Sequence, residues 1–89
     1  MKVDFSKVKV QMNFEGEPQL IDIRKELANR MRQNTNDIGF DELARNIYFS
    51  EGEVEVSEEY AKQIIDIVSK FYVVPLQQAI KELLTETTV

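Results

Sequence analysis

The 89-residue sequence contains no cysteine and no histidine. Without thiols the chain cannot form a disulfide framework, and without imidazole it lacks the usual general base and the usual zinc ligands. Most familiar catalytic constellations are therefore excluded, and an enzyme is the least favoured class of protein. We expect no catalytic residue, no metal site and no cofactor.

Long hydrophobic runs are also missing. The longest apolar run, residues 71–76, is far shorter than the ~20 residues that a membrane-spanning helix needs. The first ten residues, MKVDFSKVKV, interrupt their apolar positions with charges and contain no signal-peptide core. We therefore expect a cytoplasmic protein that does not enter a membrane.

What the chain has is an ordinary globular composition, 43% apolar and 30% charged, which predicts one compact domain over residues 1–89. Its net charge of -5 is unevenly spread. Residues 1–35 carry seven basic and five acidic groups, whereas residues 36–59 carry one basic and eight acidic groups. The acidic third repels phosphate and anionic lipid. It is either a solvated surface or a recognition surface for a basic partner.

The pattern predicts an α+β fold that is mostly helical. Apolar and polar residues alternate over residues 7–14, a turn sequence with Gly16 follows, and residues 19–21 can pair back, so a β-hairpin is expected at residues 7–21. Because an isolated hairpin is marginally stable, it must pack on helices. A further short extended segment at residues 54–56 is expected to pair with the hairpin edge.

Four helices are predicted, at about residues 22–33, 40–49, 57–73 and 75–85. Asp22 and Ser57 are the expected N-caps of the first and third helices, and Gly52 supplies a left-handed stop after the second. Val74-Pro75 should break the chain between the last two, because proline lacks an N–H and disfavours a helical residue before it.

The predicted core consists of the apolar residues on the inner face of each element. It comprises Val10, Met12, Ile23, Leu27, Leu43, Ile47, Ile64, Val68, Phe71, Ile80 and Leu83.

Residues 40–57 have the apolar spacing of a helix-turn-helix, a pattern that would indicate DNA binding. A recognition helix needs basic or amide side chains for phosphates and base edges. This stretch is rich in glutamate, and after Arg45 it has no basic residue before Lys62. An ordinary pair of packed helices is the favoured interpretation.

Two further patterns are candidates for chemical sites. Residues 34–45 begin like a calcium-binding loop but place Arg45 where a bidentate glutamate is required. Asp37, Asp41 and Glu42 would suit a hydrolase only if one of them lost its hydration in a closed pocket. Solvated surface acids are the favoured interpretation.

Protein binding has more support. Tyr48, Phe49, Tyr72 and Val73 are the candidate interface, with Phe71 beside them. Phe49 and Val73 fall outside the main apolar stripes of their helices, so they either remain exposed for a partner or lie buried beneath the hairpin. Both alternatives stay open from the sequence.

The sequence thus predicts a small non-enzymatic protein-interaction module. The alternative function is a nucleic-acid-binding regulator that uses the basic amino-terminal third, although nucleic acid is the less favoured partner. Its contact residues would be Lys7, Lys9, Arg24, Lys25 and Arg32. A weak symmetric homodimer is also expected, formed through the exposed edge of the strand at residues 7–14.

From residue 20 to residue 84, the segments IDIRKELANRM, IGFDELARNIYFSEGEVEV and EEYAKQIIDIV follow one another. This order resembles small uncharacterised proteins encoded in prophages and other mobile elements. The resemblance implies an assembly or regulatory accessory role in such an element, and it assigns no site residue.

Overall fold

The computed structural model describes residues 1–86, and within them it contains four short strands and four helices. The strands are β1 (Lys2–Asp4), β2 (Val8–Val10), β3 (Gln19–Ile21) and β4 (Glu53–Glu55). The helices are α1 (Arg24–Gln33), α2 (Ile38–Tyr48), α3 (Glu58–Phe71) and α4 (Val74–Glu86). The predicted α+β, mostly helical class is confirmed. None of these helices is both long enough and apolar enough to span a bilayer.

The predicted hairpin is present, but its first strand is three residues long instead of eight. Strands β2 and β3 are antiparallel, with Val10 opposite Gln19. Beyond Val10 the chain forms a loop, in which the side-chain amide of Gln11 donates to the carbonyl oxygens of Asn13 (2.8 Å) and Gly16 (2.9 Å). These bonds stabilise the loop instead of a longer ladder. Gly16 has a φ of 102°, which favours glycine at this position.

A second antiparallel pair, β1 with β4, was not predicted. Val3 lies opposite Val54, and the N–H of Val56 donates to the carbonyl oxygen of Met1 at 2.7 Å. The expectation that residues 54–56 pair with the hairpin edge is therefore wrong. A single valine between charged residues, as in β1, is too short a pattern to indicate a strand.

The helix starts follow from their caps. Asp37 accepts hydrogen bonds from the N–H groups of Gly39 (2.9 Å) and Phe40 (3.4 Å), so α2 begins at Ile38, two residues before its predicted start. Ser57 caps α3 as predicted. The start of α1 was predicted two residues early.

Two details around these helices differ from expectation. Asp22 accepts from the N–H of Arg24 at 3.1 Å, but the N-cap position of α1 belongs to Ile23, which provides no side-chain cap. Among the described residues only Gly16 has a positive φ, so Gly52 does not have the left-handed conformation that was predicted for it. Helix α2 ends instead with Phe49 at its C-cap.

The break before Pro75 is present, and its corner lies at Tyr72 and Val73. Tyr72 is extended, with φ -113° and ψ 151°. Its carbonyl oxygen accepts from the side-chain amide of Gln77 at 2.7 Å. Val74 is already the first residue of α4, so Pro75 stands in the first turn, where its missing N–H costs no helical hydrogen bond.

The core lies between the helices and the two small sheets, and most of its predicted members are buried. Those confirmed are Val10, Ile23, Leu27, Leu43, Ile47, Ile64, Val68 and Ile80. Leu83 is only half-buried, at the core margin. Met12 and Phe71 were wrongly assigned, because Met12 follows the end of β2 and Phe71 ends α3, and both are more than 40% exposed.

Candidate protein-interaction surface

A groove of about 440 Å³ runs between α1 and α2. We call it the α1–α2 groove. Its lining comprises Ala28, Asn29, Arg32, Asp41, Ala44, Arg45, Tyr48 and Phe49. On each helix these positions recur at three- and four-residue spacing, so they share one face. Ala28 and Ala44 are buried and have only a methyl side chain, which leaves space between the longer side chains around them.

One end of the groove is aromatic. The rings of Tyr48 and Phe49 meet edge to face, with centroids 4.8 Å apart and an interplanar angle of 64°. The ammonium nitrogen of Lys25 lies 5.8 Å from the centroid of the Tyr48 ring. Tyr48 is half-buried, whereas Phe49 is 73% exposed. Of the two alternatives that the sequence left open for Phe49, the structure shows the exposed one.

The rest of the groove rim is predominantly basic. A guanidinium nitrogen of Arg32, Nη1, lies 3.5 Å from Oδ2 of Asp41, and Arg45 is exposed beside them. Lys25 lies beside the aromatic end, so the groove and its margin carry three cations and one carboxylate. The groove is therefore a locally positive surface on a protein of net charge -5.

The remaining acids of these two helices point elsewhere. Glu26 and Glu42 are both exposed, and neither lines the groove. The basic character of the groove is thus not cancelled by its own helices.

The other two predicted interface residues lie at the corner between α3 and α4. Val73 is 61% exposed, whereas Tyr72 is only 8% exposed and belongs to the buried core. The extended corner turns the Tyr72 side chain inward. Burial, together with the nearby Glu26 carboxylate, raises the pKa of Tyr72 to about 12.

The corner and the groove are separate surfaces. The guanidinium of Arg30 lies 4.9 Å from the centroid of the Phe71 ring, so this side of α1 faces the corner. At ~100° per residue, the α1 positions that line the groove are centred roughly 130° from positions 26 and 30. The structure therefore keeps Tyr48 with Phe49 but does not bring Val73 to the same face.

The five basic residues of the nucleic-acid alternative are divided among different sites. Lys7 and Lys9 line a second groove, of about 350 Å³, between the hairpin and α4. Arg24 is held by the Asp22 carboxylate, 2.7 Å from its Oδ2, and by the carbonyl oxygen of Ser50. Arg32 lines the α1–α2 groove, and Lys25 lies beside its aromatic end.

Two of the three acids that would suit a hydrolase have structural partners. Asp37 caps α2 and accepts from Tyr60, Asp41 pairs with Arg32, and Glu42 lies on the exposed surface. Within residues 1–86, no cluster of three or more acidic side chains has the arrangement to hold a metal ion. Asp37 and Asp41 thus support the helices through these contacts, and Oδ1 of Asp41 is buried without a hydrogen-bond partner among the described residues.

Two apolar side chains of the hairpin region were missed as surface features. Phe14 is fully exposed in the loop, and Leu20 is exposed beside Lys9, which lies opposite it in the ladder. The alternation over residues 7–14 predicts Phe14 on the inner face. Phe14 is exposed because β2 ends at Val10 and the alternation does not continue beyond it.

A scan against protein-family models finds no match to this chain. Searches of curated proteins and of solved structures likewise return no match.

Proposed function

We propose that the chain is a small, non-enzymatic protein-interaction module whose docking surface is the α1–α2 groove. The observation that carries this proposal is the exposure of Phe49, at 73%, on the rim of a groove that it lines together with Tyr48. An accessory role in a mobile element, which the sequence resemblance implies, stays a prediction.

An aromatic residue beside a concave, small-residue floor suits a binding anchor. Phe and Tyr side chains bury ~150–250 Å² each and often supply much of the energy of an interface. Exposed singly, Phe49 would be unremarkable on a soluble protein. Its edge contact with Tyr48 holds it beside the floor formed by Ala28 and Ala44, and a partner side chain can bury both rings there.

The charges around the groove indicate the chemistry of the partner. Lys25, Arg32 and Arg45 favour a segment that places carboxylates next to an apolar side chain. Phosphate would also be attracted to these cations, but the five basic residues proposed for nucleic acid do not form one surface. Protein binding is therefore the function that the geometry supports best.

The proposal is tested by site-specific photocrosslinking. A benzophenone amino acid replaces Phe49 in the full chain, and matched proteins carry it at Val73, on the other apolar surface, and at Gln78, an exposed polar position of α4. Each protein is irradiated alone and in an extract of the native host. We expect protein adducts from position 49 and none from position 78.

Absence of any adduct at position 49 contradicts the proposal. Equal adducts at positions 49 and 78 contradict it as well, because they would reflect collision and not docking. Adducts confined to position 73 would place the interface at the α3–α4 corner instead.

A further inference from the structure

We propose that the partner of the α1–α2 groove is a second copy of this chain. In this two-fold dimer, the groove of each copy receives Phe49 and the adjoining acidic segment, residues 51–59, of the other. This inference rests on the proposed function, since it names the occupant of the same groove.

Charge complementarity within one sequence supports this dimer. Lys25 and Arg45 of the groove make no ion pair within 4.0 Å among the described residues. The acidic segment contains no basic residue, and all of its carboxylates are exposed. They are Glu51, Glu53, Glu55, Glu58 and Glu59, of which only Glu55 has an ion pair, with the terminal ammonium of Met1. Each copy thus carries both a cationic receptor and an anionic ligand.

The aromatic anchor and the acidic segment also adjoin one another in the chain. Phe49 lines the groove and precedes the acidic segment by two residues, so the aromatic anchor and the carboxylates are contiguous. This matches the partner chemistry inferred above, an apolar side chain followed by acids. When ligand and receptor adjoin on one surface, a two-fold axis can satisfy both contacts at once and close the assembly.

The acidic segment cannot enter the groove of its own copy. Strand β4 is paired with β1, and the carbonyl oxygen of Ser50 is held by Arg24. These contacts fix the acidic segment on the β1–β4 sheet. The groove of the same copy therefore remains open to a segment from another copy.

The dimer should be weak. A groove and a nine-residue segment give an interface at the small end of the range, below ~1,200 Å² in total, where associations are transient. Two copies of net charge -5 also repel each other at long range. We expect association in the high-micromolar range, favoured by moderate salt that screens the long-range repulsion but leaves the close contacts.

Charge reversal with a complementation arm tests this dimer. The groove variant is Lys25→Glu with Arg45→Glu, and the segment variant is Glu51→Lys with Glu53→Lys. Their net charges become -9 and -1, because each reversal changes the charge by two from -5. Sedimentation equilibrium measures each variant alone and their equimolar mixture, with circular dichroism to verify the fold.

Each variant alone should dimerise at least ~10-fold more weakly than the wild type, because both of its groove contacts join like charges. In the mixture, each groove again meets a segment of opposite sign, and a heterodimer of wild-type affinity should form. A control with Lys62→Glu and Lys70→Glu, on the exposed side of α3, has the same net charge of -9 and should still dimerise.

If net charge alone controlled association, the segment variant, at -1, would dimerise more tightly than the wild type and the groove variant. That result would overturn the proposal, as would dimerisation that neither variant weakens. A wild-type chain that stays monomeric near millimolar concentration would also overturn it. If the photocrosslinker at position 49 nevertheless joins another protein, the groove still functions as an interface and only the second copy is wrong.

Discussion

The hydroxyl of Tyr60 in the first turn of α3 donates to the carboxylate of Asp37, the N-cap of α2, with 3.3 Å between Oη and Oδ2. The Tyr60 ring also meets Phe40 edge to face, with centroids 5.4 Å apart. Gly39 lies beneath the hydroxyl, and a Cβ there would collide with it. One tyrosine therefore links the start of α3 to the start of α2.

Replacing Tyr60 by phenylalanine should lower the free energy of unfolding by about 0.5–1.5 kcal/mol. The change removes the hydrogen bond to Asp37 but keeps the aromatic contact with Phe40. Urea unfolding at neutral pH measures the difference. Tyr48→Phe is the matched control, because the Tyr48 hydroxyl has no hydrogen-bond partner among the described residues. Equal losses in both variants would show that the link to Asp37 contributes nothing.

The link between Tyr60 and Asp37 illustrates what the sequence could not provide. Ser57 and the apolar arc of α3 are local patterns, and both predicted their helix correctly. A contact across 23 residues has no local signal. The α1–α2 groove likewise has no local signal. Phe49 is recognisable in the sequence as an off-stripe aromatic, but the concave floor forms only when the two helices pack together.

Core assignments failed where an element ended sooner than its pattern. Met12 continues the alternation of β2, and Phe71 continues the arc of α3, yet each stands where its element ends. Tyr72, a candidate interface residue, is buried although α3 has already ended. An extended corner turns that side chain into the core, and helical periodicity does not describe residues in a corner.

Aspartate substitutions at Ile64 and Phe71 should therefore have very different effects. Ile64 is fully buried, and an unpaired carboxylate there costs several kcal/mol, a large part of the ~5–15 kcal/mol that stabilises a typical domain. Ile64→Asp should give an unfolded chain by circular dichroism.

Phe71→Asp should remain folded with a loss of about 1 kcal/mol. Its ring is 43% exposed, and the new carboxylate would lie near the Arg30 guanidinium. Thermal melting compares the two variants. A cooperative transition for Ile64→Asp, or loss of the fold in Phe71→Asp, would show that α3 buries a different face.

Because of Tyr72, the free energy of unfolding should fall at alkaline pH. Its hydroxyl is buried without a hydrogen-bond partner among the described residues, and burial raises its pKa from 10.0 to about 12. Between these two values the unfolded chain loses the phenolic proton while the folded chain retains it. The free energy of unfolding should therefore be constant below pH 10 on this account and fall by roughly 2 kcal/mol towards pH 12.

Tyr72→Phe isolates that contribution. At neutral pH the variant should match the wild type within ~1 kcal/mol, since it removes a buried hydroxyl that gains no hydrogen bond from the protein. Urea unfolding from pH 9 to pH 12 should then show the wild type losing stability faster than the variant. Other titrating groups, including Tyr60, whose pKa is also raised by burial, act equally on both proteins. Parallel curves over this range would mean that Tyr72 ionises as readily in the folded chain as in the unfolded one.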